Sequence, residues 1–200
     1  MENFINIRHK KSMHKLKKHI DAKINFSTID RGLILSFTGN GKGKTTAAWG
    51  TVTRALGYGY NVGIVQFIKG SLECGEYKKL KNDTQLEVKT MSTNFTWETQ
   101  NYDADRYACE FTWNYAKNML INSSIYLLVL DEISYMIKFG YLNVNNVKTA
   151  IINRPPEQSV IITGRNIHSK LLEISDIITD MHEIRHAFNN RLKARKGIDY

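Results

Sequence analysis

Cysteine, proline and long apolar runs are all scarce in this 200-residue chain. Its two cysteines, Cys74 and Cys109, do not have the spacing of a metal site, and two unpatterned thiols are more typical of a reducing cytoplasm than of a disulfide scaffold. No apolar run approaches the ~20 residues of a membrane span, and the charged N-terminus has no apolar segment typical of a secretory signal. We therefore expect a cytoplasmic protein without a membrane partner.

The net charge of +9 is concentrated at the two ends of the chain. Residues 1–23 carry +5 and residues 185–200 carry +4, so residues 24–184 hold equal numbers of basic and acidic side chains. Basic tails can bind nucleic acid, but they are also commonly just solvated and suit a small anionic ligand equally well. The neutral balance of the body therefore argues against nucleic acid as the partner.

Apolar strands alternate with helical patterns along the chain, and no linker or repeat indicates a second domain. This alternation predicts an α/β fold with a mostly parallel central sheet and helices on both faces. The predicted strands are Leu33–Phe37, Val62–Ile68, Leu86–Thr90, Ile125–Leu130, Ser159–Ile162 and Ile174–Thr179, and the predicted helices are Gly43–Leu56, Asp103–Ile121 and Asn145–Ile152. We expect the domain to span residues 27–200. Residues 1–26 would form a basic N-terminal arm with a narrow apolar stripe of Met13, Leu16 and Ile20.

A glycine- and lysine-rich turn follows the first predicted strand and opens the first predicted helix. The turn reads Gly39-Asn40-Gly41-Lys42-Gly43-Lys44-Thr45-Thr46. Its glycines allow backbone N–H groups to face an anion, Lys44 supplies a charge for the outer phosphates, and Thr45 supplies a hydroxyl for Mg²⁺. A strict phosphate-loop pattern would have glycine at position 38, where this chain has Thr38, so the loop is one residue shorter between its outer glycines. A nucleotide is the predicted ligand.

Two adjacent acids, Asp131 and Glu132, end a buried strand downstream of this loop. Such acids usually hold Mg²⁺ directly or through water, although a pair of acids favoured by a helix N-terminus would look the same. The sequence does not decide which of the two would contact the metal. Arg165 follows another strand and a glycine, where a planar cation suits phosphate, and a surface ion pair is the alternative. Arg54 lies ten residues past the loop lysine, where most arginines are structural.

Other candidate residues are less specific. Phe95 and Trp97 lie in a polar loop, where aromatics either anchor the loop to the core or face a flat apolar ligand. His168 has no shared spacing with the other histidines that would indicate a metal, and His182 and His186 are expected on one helical face at the surface.

Together these motifs resemble those of the P-loop type ATP:corrinoid adenosyltransferases, in one register from about Arg31 to Tyr200. The resemblance is carried by the shortened loop itself, which is the family's form, and by an ordered set of further segments. These are Gly63-Ile-Val-Gln-Phe-Ile-Lys69-Gly70, Phe95-Thr-Trp97-Glu-Thr-Gln-Asn101, Leu130-Asp131-Glu132, Val160-Ile-Ile-Thr-Gly164-Arg165, His186-Ala-Phe188 and Gly197-Ile-Asp-Tyr200. Ser71–Cys74 and Asn94 depart from the family pattern, which leaves the contacts on the corrinoid side open.

The resemblance implies a single P-loop NTPase-like (RecA-like) domain and a specific reaction. The Co(I) centre of a reduced corrinoid attacks C5′ of ATP and expels the whole triphosphate, so positioning and leaving-group charge matter more than acid–base groups. Lys44, Thr45, Mg²⁺ and one of the two acids would stabilise the triphosphate, assisted by Lys42 and the loop N–H groups. Gly39, Asn40, Gly41, Gly43, Thr46, Arg54 and Arg165 complete the expected ATP-binding set.

By the same resemblance, Phe95 and Trp97 would lie under the corrin ring, displace its lower ligand and make reduction to Co(I) accessible. The N-terminal arm would fold over the bound corrinoid. The implied partners are a flavodoxin-like flavoprotein reductase and a second copy of the chain in a homodimer, with the natural corrinoid left open.

Two other functions use the same loop and Mg²⁺. A DNA-dependent ATPase motor would release phosphate from ATP and would bind nucleic acid with strong salt dependence. A small-molecule kinase would convert ATP to ADP. Tripolyphosphate as the product separates the transferase from both.

Overall fold

The computed structural model describes residues 2–68, 74–92 and 101–200. The chain divides into two compact units, residues 1–30 and residues 31–200. The first unit contains helix α1 (Glu2–Phe26), which spans nearly all of the predicted N-terminal arm, residues 1–26. The side chains of Met13, Leu16 and Ile20 are exposed.

The second unit is built from short strands and helices in alternation. Its elements are β1 (Ile34–Thr38), α2 (Lys44–Gly57), β2 (Val62–Gln66), α3 (Gly75–Leu80), β3 (Leu86–Thr90), α4 (Tyr102–Leu120), β4 (Leu127–Asp131), α5 (Ile133–Lys138), α6 (Val144–Ile152), β5 (Ser159–Thr163), α7 (Ser169–Leu172), β6 (Ile177–Asp180) and a 3₁₀ turn (Ala187–Asn190). The predicted α/β class is confirmed, and each predicted strand overlaps an observed one.

Within the described ranges the strands form one sheet in the order β3-β2-β4-β5-β1-β6, and every neighbouring pair is parallel. Helices cover both faces. Leu128 and Leu130 of β4 face the cluster formed with α4, α5 and α6, whereas Leu127 and Val129 face the cluster formed with α2. Since all the strands run in the same direction, their carboxyl ends meet at one edge, where ligands of open α/β sheets bind.

Strand β5 lies between β1, which leads into the glycine-rich loop, and β4, which ends at the two acids. The loop and the acids are therefore separated by the width of one strand, and the end of β5 lies between them. None of the helices among the described residues is long and apolar enough to cross a membrane.

Candidate functional site: a phosphate loop facing two acids

The loop between β1 and α2 packs against the chain that follows β6. Gly39 has φ 94°, and a Cβ at this position would lie 2.4 Å from the Met181 carbonyl oxygen. The Gly41 N–H donates to the same oxygen at 2.6 Å, and Gly43 has φ 109°. Glycine is thus required by close approach at Gly39 and by a left-handed backbone at both outer positions. The fold gives the loop one shape and leaves the start of α2 facing outward to bind an anion.

Lys44 is the first residue of α2, and its side chain is buried. Its Nζ donates to the carbonyl oxygens of Gly39 and Gly41, each at 2.8 Å. Burial lowers the Lys44 pKa, an effect that the nearby Glu132 carboxylate opposes. A cation that is held by carbonyl oxygens at a helix N-terminus makes this loop a site for negative charge.

Asp131 is buried at the end of β4 and accepts hydrogen bonds from three different elements. Its Oδ1 accepts from Thr163 Oγ1 at 2.6 Å and from Thr45 Oγ1 at 3.1 Å, and its Oδ2 accepts from Gln66 Nε2 at 3.4 Å. Burial raises the Asp131 pKa, and these hydrogen bonds act in the opposite direction. The bond from Thr45 joins the acid directly to the phosphate loop.

Glu132 has an unusual backbone conformation, with φ 58° in the left-handed region. Its N–H donates to Thr163 Oγ1 at 2.9 Å, while its Oε2 is buried without a hydrogen-bond partner in the part of the chain that the structure describes. Burial, and secondarily the Asp131 charge, raise the Glu132 pKa to about 7. The two acids therefore differ in role: Asp131 is fully hydrogen-bonded to its neighbours, whereas Glu132 has an oxygen available for a ligand.

A pocket of about 240 Å³ joins these groups. It is lined by the following residues: Gly41, Lys42, Gly43, Lys44, Thr45, Thr46, Glu132, Arg165, Ile198 and Asp199. The Arg165 guanidinium shares this pocket with Glu132, as its position after β5 indicated. Lys42 is exposed and forms an ion pair with Asp199, so the end of the chain closes one side of the loop.

Some predicted site residues lie elsewhere. Arg54 is in the last turn of α2, about 15 Å from Lys44 by helical rise, and it lines a separate, largely apolar pocket with Tyr58 and Tyr126. Asn40 lies within the loop but does not line the phosphate-loop pocket. Phe95 and Trp97 are outside the described residues.

The expectation of a shared helical face for two histidines is wrong. His182 lies in non-helical chain, and His186 precedes the 3₁₀ turn, where its Nδ1 accepts from Phe188 N–H. A spacing of four residues does not by itself make a helix, and the segment between the two histidines buries no apolar side chain: Ile184 is 97% exposed.

Three residues of the site were not singled out from the sequence: Gln66, Thr163 and Asp199. Gln66 and Thr163 are the last residues of parallel strands, so the same rule that identified Asp131 could have found them. Asp199 gives no such signal, because its approach to Lys42 depends on the path of the last residues.

The oxygen donors of this site fit a hard divalent cation such as Mg²⁺. Thr45 and Asp131 are already joined, and the orphaned Glu132 oxygen lacks a partner that a cation would supply. In the part of the chain that the structure describes, no group of three or more His, Cys, Asp and Glu side chains could hold a metal ion. Phosphate oxygens of a nucleotide would therefore have to complete the coordination, as is usual for Mg²⁺.

Comparison with known proteins identifies the family of this chain. Residues 30–200 match the family model of the ATP:corrinoid adenosyltransferases BtuR/CobO/CobP. Corrinoid adenosyltransferases from Escherichia coli strain K12 and Salmonella typhimurium strain LT2 are each 45% identical over 193 residues, which is 96% of this chain and 98% of each relative. The corrinoid adenosyltransferase of Pseudomonas aeruginosa is 39% identical over 96% of both chains.

Among solved structures, the flagellar accessory protein FlaH from Methanocaldococcus jannaschii has a TM-score of 0.51 at 13% identity, covering 76% of this chain and 72% of its own. This likeness concerns the fold alone and agrees with the α/β fold described above. The family model and the near full-length relatives show more: this chain belongs to the ATP:corrinoid adenosyltransferase family BtuR/CobO/CobP and is a transferase of corrinoid metabolism.

Proposed function

We propose that this protein transfers the 5′-deoxyadenosyl group of ATP to the Co(I) centre of a reduced corrinoid and releases tripolyphosphate. The observation that carries the proposal is the pocket in which the phosphate loop, its buried lysine and Arg165 face Glu132. This pocket can neutralise a polyanion that leaves as one piece, which is the main demand of the reaction.

The transfer is a nucleophilic substitution at C5′. The cobalt electron pair forms the Co–C bond while the C5′–O bond breaks, and tripolyphosphate leaves with the electrons of that bond. Lys44, Arg165 and the N–H groups at the start of α2 stabilise the charge on the leaving group. Mg²⁺, when bound, supplies further positive charge to the phosphate oxygens.

The side chains that would hold this Mg²⁺ are Thr45 and one of the two acids. Thr45 lies at the loop and donates to Asp131. Glu132 lines the same pocket and has the unpartnered oxygen. These contacts favour Glu132 as the direct ligand and Asp131 as the acid that orients Thr45. Arg54, at the far end of α2, has no part in this step.

The remaining features of the proposal come from the family resemblance. Phe95 and Trp97 displace the lower ligand of the corrinoid, and residues 1–26 fold over it. The protein acts in the cytoplasm as a homodimer and receives electrons from a flavodoxin-like flavoprotein reductase. The absence of cationic excess in residues 24–184 supports a small-molecule substrate rather than nucleic acid.

An anaerobic assay tests the proposal. The protein is incubated with ATP, Mg²⁺ and chemically reduced cob(I)alamin, and the visible spectrum is followed while the phosphate products are separated. A light-sensitive alkylcobalamin formed together with tripolyphosphate is the expected result. ADP or orthophosphate without alkylcobalamin would overturn it in favour of a kinase or a motor.

The aromatic pair is tested in the same assay with two reductants. Phe95→Ala and Trp97→Ala should keep activity on chemically reduced cob(I)alamin, because the lower ligand no longer matters after reduction. Both variants should lose adenosyltransferase activity under a weaker, flavin-based reductant. Equal losses under both conditions would contradict the ligand-displacement role.

A further inference from the structure

The carboxyl ends of four neighbouring parallel strands carry a continuous chain of polar side chains. Thr90 of β3 donates to Gln66 Oε1 at 3.2 Å, and Gln66 of β2 donates to Asp131 of β4. Thr163 of β5 completes the chain from the other side. Neutral side chains thus hold the Asp131 carboxylate from both neighbouring strands.

The Thr163 hydroxyl makes two contacts at once. Its Oγ1 donates to Asp131 Oδ1 at 2.6 Å and accepts from the Glu132 N–H at 2.9 Å. A threonine hydroxyl can do this because it has one donor hydrogen and two acceptor lone pairs. Thr163 is fully buried, so water cannot replace either contact.

These two contacts fix the conformation of the turn after β4. Glu132 has φ 58°, which is costly for a residue with a side chain and persists only where the surroundings hold it. The bond from the Glu132 N–H to Thr163 is one such constraint. It directs the Glu132 side chain to the phosphate-loop pocket while the Asp131 side chain points back to β5.

We propose that Thr163 is a positioning residue that sets the geometry of both acids toward the metal–triphosphate complex. The inference rests on the proposed function, because it needs ATP and a divalent cation in this pocket. It concerns a residue that touches neither ligand and acts through Asp131 and Glu132. Gln66 holds Asp131 less firmly than Thr163 does, since its hydrogen bond to Asp131 is 3.4 Å long.

The test compares two substitutions at one position with a matched control. Thr163→Val keeps the shape and loses both contacts, and Thr163→Ser keeps the hydroxyl. Thr112→Val is the control, because Thr112 is equally buried but donates within α4 to Ala108 O at 2.8 Å. ATP affinity is measured by calorimetry with excess Mg²⁺ and again with EDTA. The readout is the association constant with Mg²⁺ divided by the association constant in EDTA.

Thr163→Val should lower this ratio about tenfold or more, as removal of an outer-sphere partner usually does, and leave the affinity in EDTA unchanged. Thr163→Ser and Thr112→Val should both keep the wild-type ratio. A general loss of folding would lower both affinities together, and unfolding curves of the three variants identify it.

Three results would overturn the proposal. A wild-type ratio in Thr163→Val would show that the hydroxyl does not position the metal ligands, and an equal fall in Thr112→Val would show that any buried hydroxyl matters as much. If the wild-type protein binds ATP equally with and without Mg²⁺, the metal role in the proposed function fails first and the positioning role fails with it. Whether the protein forms alkylcobalamin is then tested separately by the anaerobic assay described above.

Discussion

At Lys44, burial and charge act against each other. The side chain is removed from water, its pKa is lowered by that burial, and its hydrogen-bond partners among the described residues are two loop carbonyls. A buried charge with neutral partners costs folding free energy and is retained where a ligand uses it. The residue is therefore expected to serve binding more than stability.

We predict that Lys44→Met weakens ATP binding about 100-fold, because one buried charge-assisted contact to the triphosphate is lost. The free energy of unfolding should change little, because the removed cost of burying the charge offsets the lost attraction to Glu132. Calorimetry and urea unfolding measure the two effects. Lys42→Met is the control: Lys42 is 53% exposed and should change affinity less than tenfold. A large loss of stability in Lys44→Met would contradict this division of roles.

Glu132 gives a prediction about pH. Its pKa is raised from 4.5 to about 7 by burial and by the Asp131 charge, while Lys44 and Arg165 act in the opposite direction. Because the folded state holds this proton more tightly than the unfolded state, the contribution of Glu132 to stability is fully present below pH 4.5 and is lost as pH rises through 7. Full ionisation costs about 3 kcal/mol.

We therefore predict that metal-free wild-type protein loses stability relative to Glu132→Gln between pH 5 and pH 8. Urea unfolding in EDTA at several pH values measures the difference, and Mg²⁺ with ATP should reduce it. Glu110→Gln is the control, because Glu110 is an exposed partner of Arg106 on α4. A difference that stays flat over this range would mean that Glu132 is not held in a desolvated environment.

At the scale of elements, the strands could be predicted and the short helices could not. Residues 127–130, for example, are apolar on both faces, and such runs identify strands buried between two layers of helices. Helices α3, α5 and α7 span only four to six residues, which is too short for a helical period to show. Their positions follow from tertiary packing.

The site, like the elements, could be predicted from the sequence only in part. The loop and both acids were identified, because a turn sequence and a strand end are local signals. The division between Asp131 and Glu132 could not be, since it depends on a left-handed backbone at Glu132 and on Thr163 from another strand. Arg54 is the converse case, in which a residue near the loop in sequence lies three helical turns away.

The turn between β5 and α7 gives a prediction at this scale. Gly164 has φ 148°, and a Cβ there would lie 2.7 Å from Ser134 Cβ and 2.0 Å from Ser134 Oγ. Gly164→Ala should therefore cost about 3 kcal/mol of unfolding free energy through strain and overlap with α5. Adding Ser134→Gly should recover the steric part, whereas Ser134→Ala should recover only the overlap with Oγ, because the contact with Cβ at 2.7 Å remains. Urea unfolding of the single and double variants checks this, and equal rescue by both second substitutions would contradict it.

At the scale of the whole molecule, the core and the charge are distributed differently. Both hydrophobic clusters consist of residues from Ile34 onward, and described side chains before Arg31 are exposed. The first 23 residues carry a net charge of +5. The arm thus adds charge and an amphipathic surface without adding to the core of residues 31–200.

We predict that deletion of residues 1–30 changes the unfolding free energy of the remaining unit by less than about 1 kcal/mol, because no buried apolar surface of its clusters is removed. ATP affinity should also remain, since the described residues that line the phosphate-loop pocket all belong to residues 31–200. The KM for the corrinoid should rise at least tenfold if the arm covers that substrate. Urea unfolding, calorimetry and the alkylcobalamin assay measure the three quantities.

A variant of full length separates the arm's surface from its mere presence. Substitution of Met13, Leu16 and Ile20 by serine keeps the charge and length of α1 but removes its apolar stripe. If the stripe contacts the corrinoid, this variant should raise the corrinoid KM nearly as much as the deletion does. A rise with the deletion alone would assign the effect to the basic charges, and a loss of ATP binding in either protein would assign the arm to the nucleotide site instead.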